Sequence, residues 1–392
     1  MNNHTTIFNQ LLHFVPRDKF NALVGQHKGD RYTKRLDTWN QFVALLYAQA
    51  TGKDSLREIE TGFSLNENLW YHLGVNSVAR SSLARANKNR DHKIFESLFY
   101  AKLAECKNIT PHRQFSFQNP LYSLDSTTIQ LCLSMFDWAK YRTAKGAFKL
   151  HTLLRNETIL PEFILSTNGK VGDVTAAKEM NLPKRLEKGS IVVFDRAYID
   201  FKWWKQLDDD GIFFVSRTKS NQSITKVGQH KEEKETFVLA DDIVLVGEYS
   251  GLFKYPKTMR RIKYYDKEKD KAYEYLTNNF DLKALEIARI YKDRWQIELF
   301  FKWVKQNLKI KTFLGTSYNA VMTQVWIAMI YYLLLAYVKF QTRFTKSLLE
   351  LTRMVKETLF VRRPLIDLLS LSTTTLSRFK PPPHPQLGLF GV

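Results

Sequence analysis

Residues 287–308 read IARIYKDRWQIELFFKWVKQNL, and the organisation of the chain follows from how this stretch is folded. From Ala284 to Leu308 there is no Pro or Gly and a high share of helix formers, so one long helix is expected. At about 100° per residue, Ile290, Ile297, Phe301, Val304 and Leu308 share a narrow stripe that faces a core. A second stripe carries Tyr291, Arg294, Glu298, Lys302 and Lys305. A carboxylate bracketed by a phenol, a guanidinium and two ammonium groups suits an acid that holds a metal while its neighbours hold a phosphate backbone.

Two acids further upstream stand in matching contexts. The segment LYSLDST from Leu121 runs into Asp125 at the end of a short strand, and Ile191-Val192-Val193-Phe194 drives straight into Asp195. Burying such strand ends is costly unless the carboxylate has a partner. Three converging carboxylates with no His or Cys set favour a hard, oxygen-seeking ion, magnesium or manganese. Two such ions about 4 Å apart activate an attacking oxygen and stabilise a leaving one in phosphodiester chemistry. Either Asp alone reads equally as a helix cap or turn residue; the shared design of both strands and the Glu298 helix weighs toward a site.

The intervening chain alternates strands with helices. Ala147–Leu154 and Ile159–Leu165 form a strand pair around the turn Arg155-Asn156-Glu157, with Pro161 on an edge or at a bulge. Residues 174–187 read as helix, Phe201–Leu207 as a short helix and Ile212–Val215 as a strand. The pattern implies an α/β layer around a mixed sheet. Residues 219–280 read as a mostly β insertion, with a candidate hairpin joining Arg260–Tyr265 to Ala272–Leu276.

The spacing Tyr291-x2-Arg294-x3-Glu298-x6-Lys305 resembles the Tyr-Arg-Glu-Lys signature of DDE transposases from bacterial insertion sequences of family four. Asp195-Arg196-Ala197-Tyr198 is similar to that family's second-Asp motif and Leu124-Asp125-Ser126-Thr127 to its first-Asp strand; Lys145–His151 and Phe214–Lys219 are also familiar from it. The resemblance covers roughly residues 120–340. It implies a multidomain α/β (α+β) protein whose ribonuclease-H-like core is interrupted by a mostly β insertion and flanked by a helical N-terminal domain and a helical C-terminal region. The implied activity is magnesium-dependent cutting of element ends, through hairpinned ends, followed by transfer of the 3′-OH into target DNA. Two magnesium ions per active site are implied, with manganese able to substitute, held by Asp125, Asp195 and Glu298 as catalytic and metal-binding residues. Tyr291, Arg294 and Lys305 would grip phosphates, with Lys302 a helper. Trp295, at the edge of the same face, is a candidate for stacking on a displaced base, with ordinary packing the plainer reading. Trp203 and Trp204 read as core. Lys149 and His151 alternate onto one strand face near Asp125, Lys149 as a DNA-binding candidate and His151 as a hydrogen-bonded structural His. The implied partners are double-stranded DNA, as terminal inverted repeats and target, and a second copy in a homodimeric synaptic complex.

The expected domains are a helical DNA-binding domain (1–110), the catalytic core (111–218 and 282–340), the β-rich insertion (219–281) and a helical C-terminal region with a Pro-rich tail (341–392). In the first of these, Ser77 is expected to cap a basic helix whose exposed positions carry Arg80, Ser81, Arg85, Lys88 and Arg90. Helix, Gly-containing turn and basic helix make either a helix-turn-helix, with Arg80 and Arg85 toward DNA, or a bundle with a solvated basic face. A formal net charge of +20 points to nucleic acid ahead of a membrane surface. Cys106 and Cys132 form no CxxC, which fits a reducing cytoplasm, a bacterial one by the resemblance, and no signal peptide is expected from MNNHTTIFNQ. Val321–Val338 is about one bilayer long but is read as a buried core helix. The rivals are a ribonuclease-H-like nuclease that does not transpose, an inactive transposase-derived DNA-binding protein, and a membrane-associated protein resting on residues 321–338 alone.

Overall fold

Caps and glycine stops written into the N-terminal sequence set out its helices. A computed structural model describes residues 5–110, 115–131, 136–142, 145–219, 221–230, 236–249, 252–253, 255–307 and 313–370. Leu308, Cys132 and the tail with Pro381 lie outside these residues. The first helices are α1 (Ile7–His13), α2 (Arg17–Gln26), α3 (Thr38–Thr51), α4 (Leu56–Ser64), α5 (Trp70–Leu73), α6 (Arg80–Asn89) and α7 (Lys93–Lys107). Asp37 accepts the Asn40 amide at 2.7 Å to start α3, and Gly52, at φ 74, ends it in the left-handed region where only Gly is unstrained. The Ser55 hydroxyl caps α4 through the Glu58 amide at 3.2 Å. Ser77 does not cap α6. That helix starts three residues later, at Arg80, where the amide is taken instead by Glu60 of α4 at 3.0 Å.

Contacts divide the chain into two units, Met1–Lys102 with Val325–Val392, and Leu103–Gln324. This division cuts the chain at other places than the four expected domains. In the first unit, α3 is buried almost throughout, Phe20 packs edge-on against Trp39, and Phe99 lies 5.3 Å from Trp326. Beyond α12 (Tyr318–Gln341), α13 (Leu348–Thr358) and α14 (Leu365–Ser370) complete this unit, where Thr6 bridges Arg362. The most apolar part of α12 is 94% buried, so the one described helix long and apolar enough to cross a membrane is a core helix here.

The second unit is built on one mixed sheet. Its strands are β1 (Leu121–Leu131), β2 (Lys140–Arg142), β3 (Lys145–Arg155), β4 (Leu160–Asn168), β5 (Ile191–Phe194), β6 (Phe213–Arg217), β7 (Ile224–Gln229) and β8 (Val238–Val246). After a two-residue pair, β9 (Glu248–Tyr249) and β10 (Leu252–Phe253), come β11 (Met259–Asp266) and β12 (Lys271–Thr277). The order is β2-β3-β1-β5-β6-β12-β11-β8-β7, with β4 also on β3. The expected hairpin forms as β11–β12, and β12 pairs with β6, so the strands of the β-rich stretch continue the core sheet. Pro161 sits where the β3–β4 register shifts, which relieves its missing N–H. Helix α8 (Asp173–Met180) is shorter than the 174–187 expected, because Asn181 turns left-handed at φ 49 and Pro183 follows. Helix α9 (Phe201–Asp209) buries Trp203 and Trp204 against Phe194 and Phe214.

The helix expected over 284–308 is two helices, α10 (Ala284–Asp293) and α11 (Trp295–Asn307), with Arg294 between them. No Pro or Gly causes the break. In an unbroken helix the Asp293 carbonyl would accept from Ile297, but Asn156 Nδ2 donates to it at 3.1 Å, and Ile297 turns instead to the Arg294 carbonyl. A side chain inserted into the ladder interrupts it. Asn156 is fully buried and is itself fixed by the Ser123 hydroxyl at 2.8 Å.

Candidate active site

Register places the first two acids side by side. Strand β1 runs parallel to β5 from Leu121↔Ile191 to Leu124↔Phe194, so Asp125 and Asp195 each follow the last paired residue of neighbouring parallel strands. The carboxyl ends of parallel strands are where open α/β sheets gather ligands. Contrary to the expectation, Asp125 does not end its strand; β1 continues to Leu131 because antiparallel β3 still satisfies its backbone. Asp195 does leave its strand, and its carboxylate takes the Ala197 amide at 2.7 Å to open a short 3₁₀ turn, Arg196–Tyr198.

Helix α11 packs on β1 and brings Glu298 over the pair. A cleft of about 560 Å³ is lined by Asp125, Ser126, Thr127, Asp195, Arg294, Glu298, Phe301, Lys302, Lys305 and Gln306. Thus four of the five residues on the polar stripe, Arg294, Glu298, Lys302 and Lys305, line the cleft with both aspartates. Lys302 and Lys305 are exposed and carry no ion pair among the described residues. The Arg294 guanidinium donates to Asp125 Oδ2 at 3.1 Å and to Glu298 Oε1, spanning the two acids. Tyr291 lies outside the cleft lining: its ring packs on Tyr275 of β12 at 4.8 Å, and Arg294 sits over it at 5.8 Å. Burial alone would lower the Arg294 pKa, yet Tyr291, Asp125 and Glu298 leave it raised.

Burial weighs most on the Asp125 carboxyl. Burial pushes that carboxyl up to about 6; the Ser126 amide and Arg294 pull it down, while Asp195 and Glu298 push it up. The donor set is oxygen throughout and suits a hard divalent cation, which would relieve that repulsion. Among the described residues no three such side chains are gathered tightly enough to hold one ion, since Arg294 spans two of them.

Behind Ser126 lies a network that the sequence did not reveal. Asp173, first residue of α8, accepts the Ser126 hydroxyl at 2.7 Å and the Lys149 ammonium at 3.2 Å. Lys149 also donates to the Val171 carbonyl at 3.2 Å, so this candidate for DNA contact is engaged within the fold. His151 is buried and hydrogen-bonds Thr167 at 2.9 Å, and burial drops its pKa to about 4. The buried Tyr198 phenol is held well above its usual range by burial and then by Asp125, Asp173 and Asp195. Asp173 and Asn156 act over long sequence separations, and no local pattern marks them.

Trp295 is 56% exposed, so the plainer reading of ordinary packing does not hold. On α6, Arg80, Arg85 and Lys88 are exposed as expected, but Arg90 is not. Its side chain is 7% exposed and its guanidinium binds the Gly29 and Leu36 carbonyls and Gln41, which locks α6 onto the α2–α3 connection.

A family model described as the transposase DDE domain matches residues 116–334, the stretch that supplies all three acids. The chain belongs to that family. A second model, for a domain of unknown function, matches residues 3–76. The transposase is 32% identical over 290 residues to a putative transposase, y4zB, of Sinorhizobium fredii, spanning 73% of this chain and 79% of that one. It is 26% identical to a probable transposase for the insertion sequence element IS5377 of Geobacillus stearothermophilus, over 88% and 87% of the two chains. Among solved structures, the piggyBac transposase synaptic complex with hairpin DNA covers 98% of this chain at 12% identity and a TM-score of 0.48, below the level at which a shared fold follows. The protein is therefore a DDE transposase, an enzyme of a family that generally uses divalent metal ions.

Proposed function

We propose that this transposase belongs to insertion-sequence family four, binds the terminal inverted repeats of its element, cuts them and joins the freed 3′-OH ends to target DNA. The reading is cut-and-paste through hairpinned ends, on a ribonuclease-H-like core, by a homodimer acting on nucleoid DNA in the bacterial cytoplasm. What carries it is the placement of Asp125, Asp195 and Glu298 around one cleft edged by Lys302 and Lys305, with no ion pair to either lysine among the described residues.

Asp125, Asp195 and Glu298 would hold two magnesium ions, with manganese an acceptable substitute. When bound, those ions supply Lewis acidity and a deprotonated oxygen nucleophile. The protein's own groups do the positioning. Lys302 and Lys305 hold the phosphates that enter the cleft. Arg294, backed by Tyr291, fixes Asp125 and Glu298 and would face a phosphate held between them. The exposed Trp295 indole offers a face to a displaced base. Arg80 and Arg85 give α6 a basic surface for duplex DNA.

The test is cleavage of a labelled duplex carrying the element's own end, with magnesium, by wild type and by Glu298→Gln. The expected result is nicking by wild type and a loss on the order of 10³-fold in the variant, with end binding retained. If both bind and neither cuts in magnesium or manganese, the protein is a DNA-binding relic. Cutting that survives the substitution would place the active site elsewhere.

A further inference from the structure

Asp195 faces two clefts. One is the cleft it shares with Asp125 and Glu298; the other, of about 410 Å³, is lined by Asp195, Arg196, Ala197, Lys219 and Asn221. The 3₁₀ turn that Asp195 caps buries Tyr198 at 1% and turns Arg196 and Ala197 outward. The chain leaving β6, the parallel neighbour of β5, brings Lys219 and Asn221 to the same place. Arg196 and Lys219 are exposed and form no ion pair among the described residues, whereas Lys178 close by in the chain is paired to Asp200 at 2.7 Å.

We infer that this second cleft is a subsite for a second DNA strand, the target strand, with Arg196 and Lys219 on its phosphodiesters and the Asn221 amide against a phosphate or base edge. The inference rests on the transposition reading, in which two strands must meet at one set of carboxylates: the cut end and the strand it attacks. The first cleft brings cations from α11, Lys302 and Lys305, to one side of Asp195. The second brings cations from the segments that follow β5 and β6 to a cleft that shares Asp195 but neither Asp125 nor Glu298. Two cationic tracks that share one carboxylate suit two backbones that share one reacting phosphate. Fixed charges hold a backbone without reading its sequence. The other occupant with the same chemistry is the uncut strand of the element's own end.

The experiment compares wild type, Arg196→Ala/Lys219→Ala and the charge-keeping Arg196→Lys/Lys219→Arg in two assays. One cuts a labelled end duplex; the other joins a pre-cut end with a free 3′-OH to a plasmid target. All three proteins are first checked for equal thermal unfolding, expected because these side chains are exposed. Joining is expected to fall at least tenfold more than cutting in the alanine variant, with more target needed for half-maximal joining, and to recover in the charge-keeping variant. Cutting and joining that fall together would assign the cleft to the uncut strand and overturn the target assignment. No change in either would also overturn it. A wild type that neither cuts nor joins would defeat the transposition reading itself, and the target strand with it.

Discussion

At the β8–β11 end of the sheet, Arg260 grips Asp241 through two bonds of 2.8 and 2.6 Å, and Arg261 and Lys226 share Asp242 at 2.6 Å each. Beside β1 and β5, inside the sheet, Lys302, Lys305, Arg196 and Lys219 face clefts lined by Asp125, Asp195 and Glu298 with no ion pair among the described residues. The two regions use the same residue types for different ends. Arg260 is 2% exposed and also reaches the carbonyls of Asn279 and Leu282, so it anchors the entry to α10. Cations that are paired and buried hold the scaffold; cations left in clefts beside acids are available to an outside anion.

The sharpest way to break this comparison is Arg260→Ala. It strands Asp241 in a site only 11% exposed, and losing one partner of a buried pair costs about 3–5 kcal/mol. Denaturant unfolding should show that loss, while Lys302→Ala should stay within about 0.5 kcal/mol of wild type. Equal effects would mean that pairing does not separate the two regions.

Next in size is Asp125→Asn. The carboxyl is raised from 3.8 to about 6, so the fold favours its neutral form. That contribution is complete below pH 3.8 and is lost as pH rises through about 6, leaving the ionised group a burden on the order of 3 kcal/mol at neutral pH. The substitution should therefore stabilise the metal-free protein at neutral pH, with the gain vanishing in acid. A gain that does not vary with pH would rule out buried charge as its source.

Asn156→Ala tests the scaffold that aims Glu298. It removes the buried bonds to Ser123 and Asp293, a loss of about 1–3 kcal/mol. Hydrogen exchange should show a changed protection of the Ile297 amide, since the Asp293 carbonyl becomes free to accept it. An unchanged amide would mean that Asn156 does not cause the break.

The smallest effect is expected at Lys305→Ala, which should weaken duplex binding by about 1 kcal/mol and lower the salt slope by about one unit. Lys226→Ala, from the paired set, should leave that slope alone. A matching fall in both would remove the distinction between available and committed cations.

Much of the chemistry was legible locally. Asp195 follows a continuous run of four apolar residues, the mark of a strand buried on both faces, and Glu298 sits on a stripe of period about 3.6 with Lys302 and Lys305. Arg90 was misread because periodicity reports a helix face but not the carbonyls of Gly29 and Leu36 that wait beside it. For Trp295 the stripe left stacking and packing both open, since an aromatic at a stripe's edge is buried or exposed according to what the neighbouring element covers; its 56% exposure goes against packing alone. Asp173 carried no signal because its partners, Ser126 and Lys149, lie 47 and 24 residues away.

By itself, then, the sequence determined the types of element, the three acids and the cationic stripe, because hydrophobic period and residue chemistry are local properties. Only the tertiary structure decided that the 284–308 helix is broken at Arg294, that the strands of 219–281 extend the core sheet, and that Arg294 bridges Asp125 and Glu298. Each depends on a hydrogen bond between residues far apart in the chain: Asn156 to Asp293, β12 to β6, Arg294 to Asp125. Such bonds form only after the fold has brought their partners together.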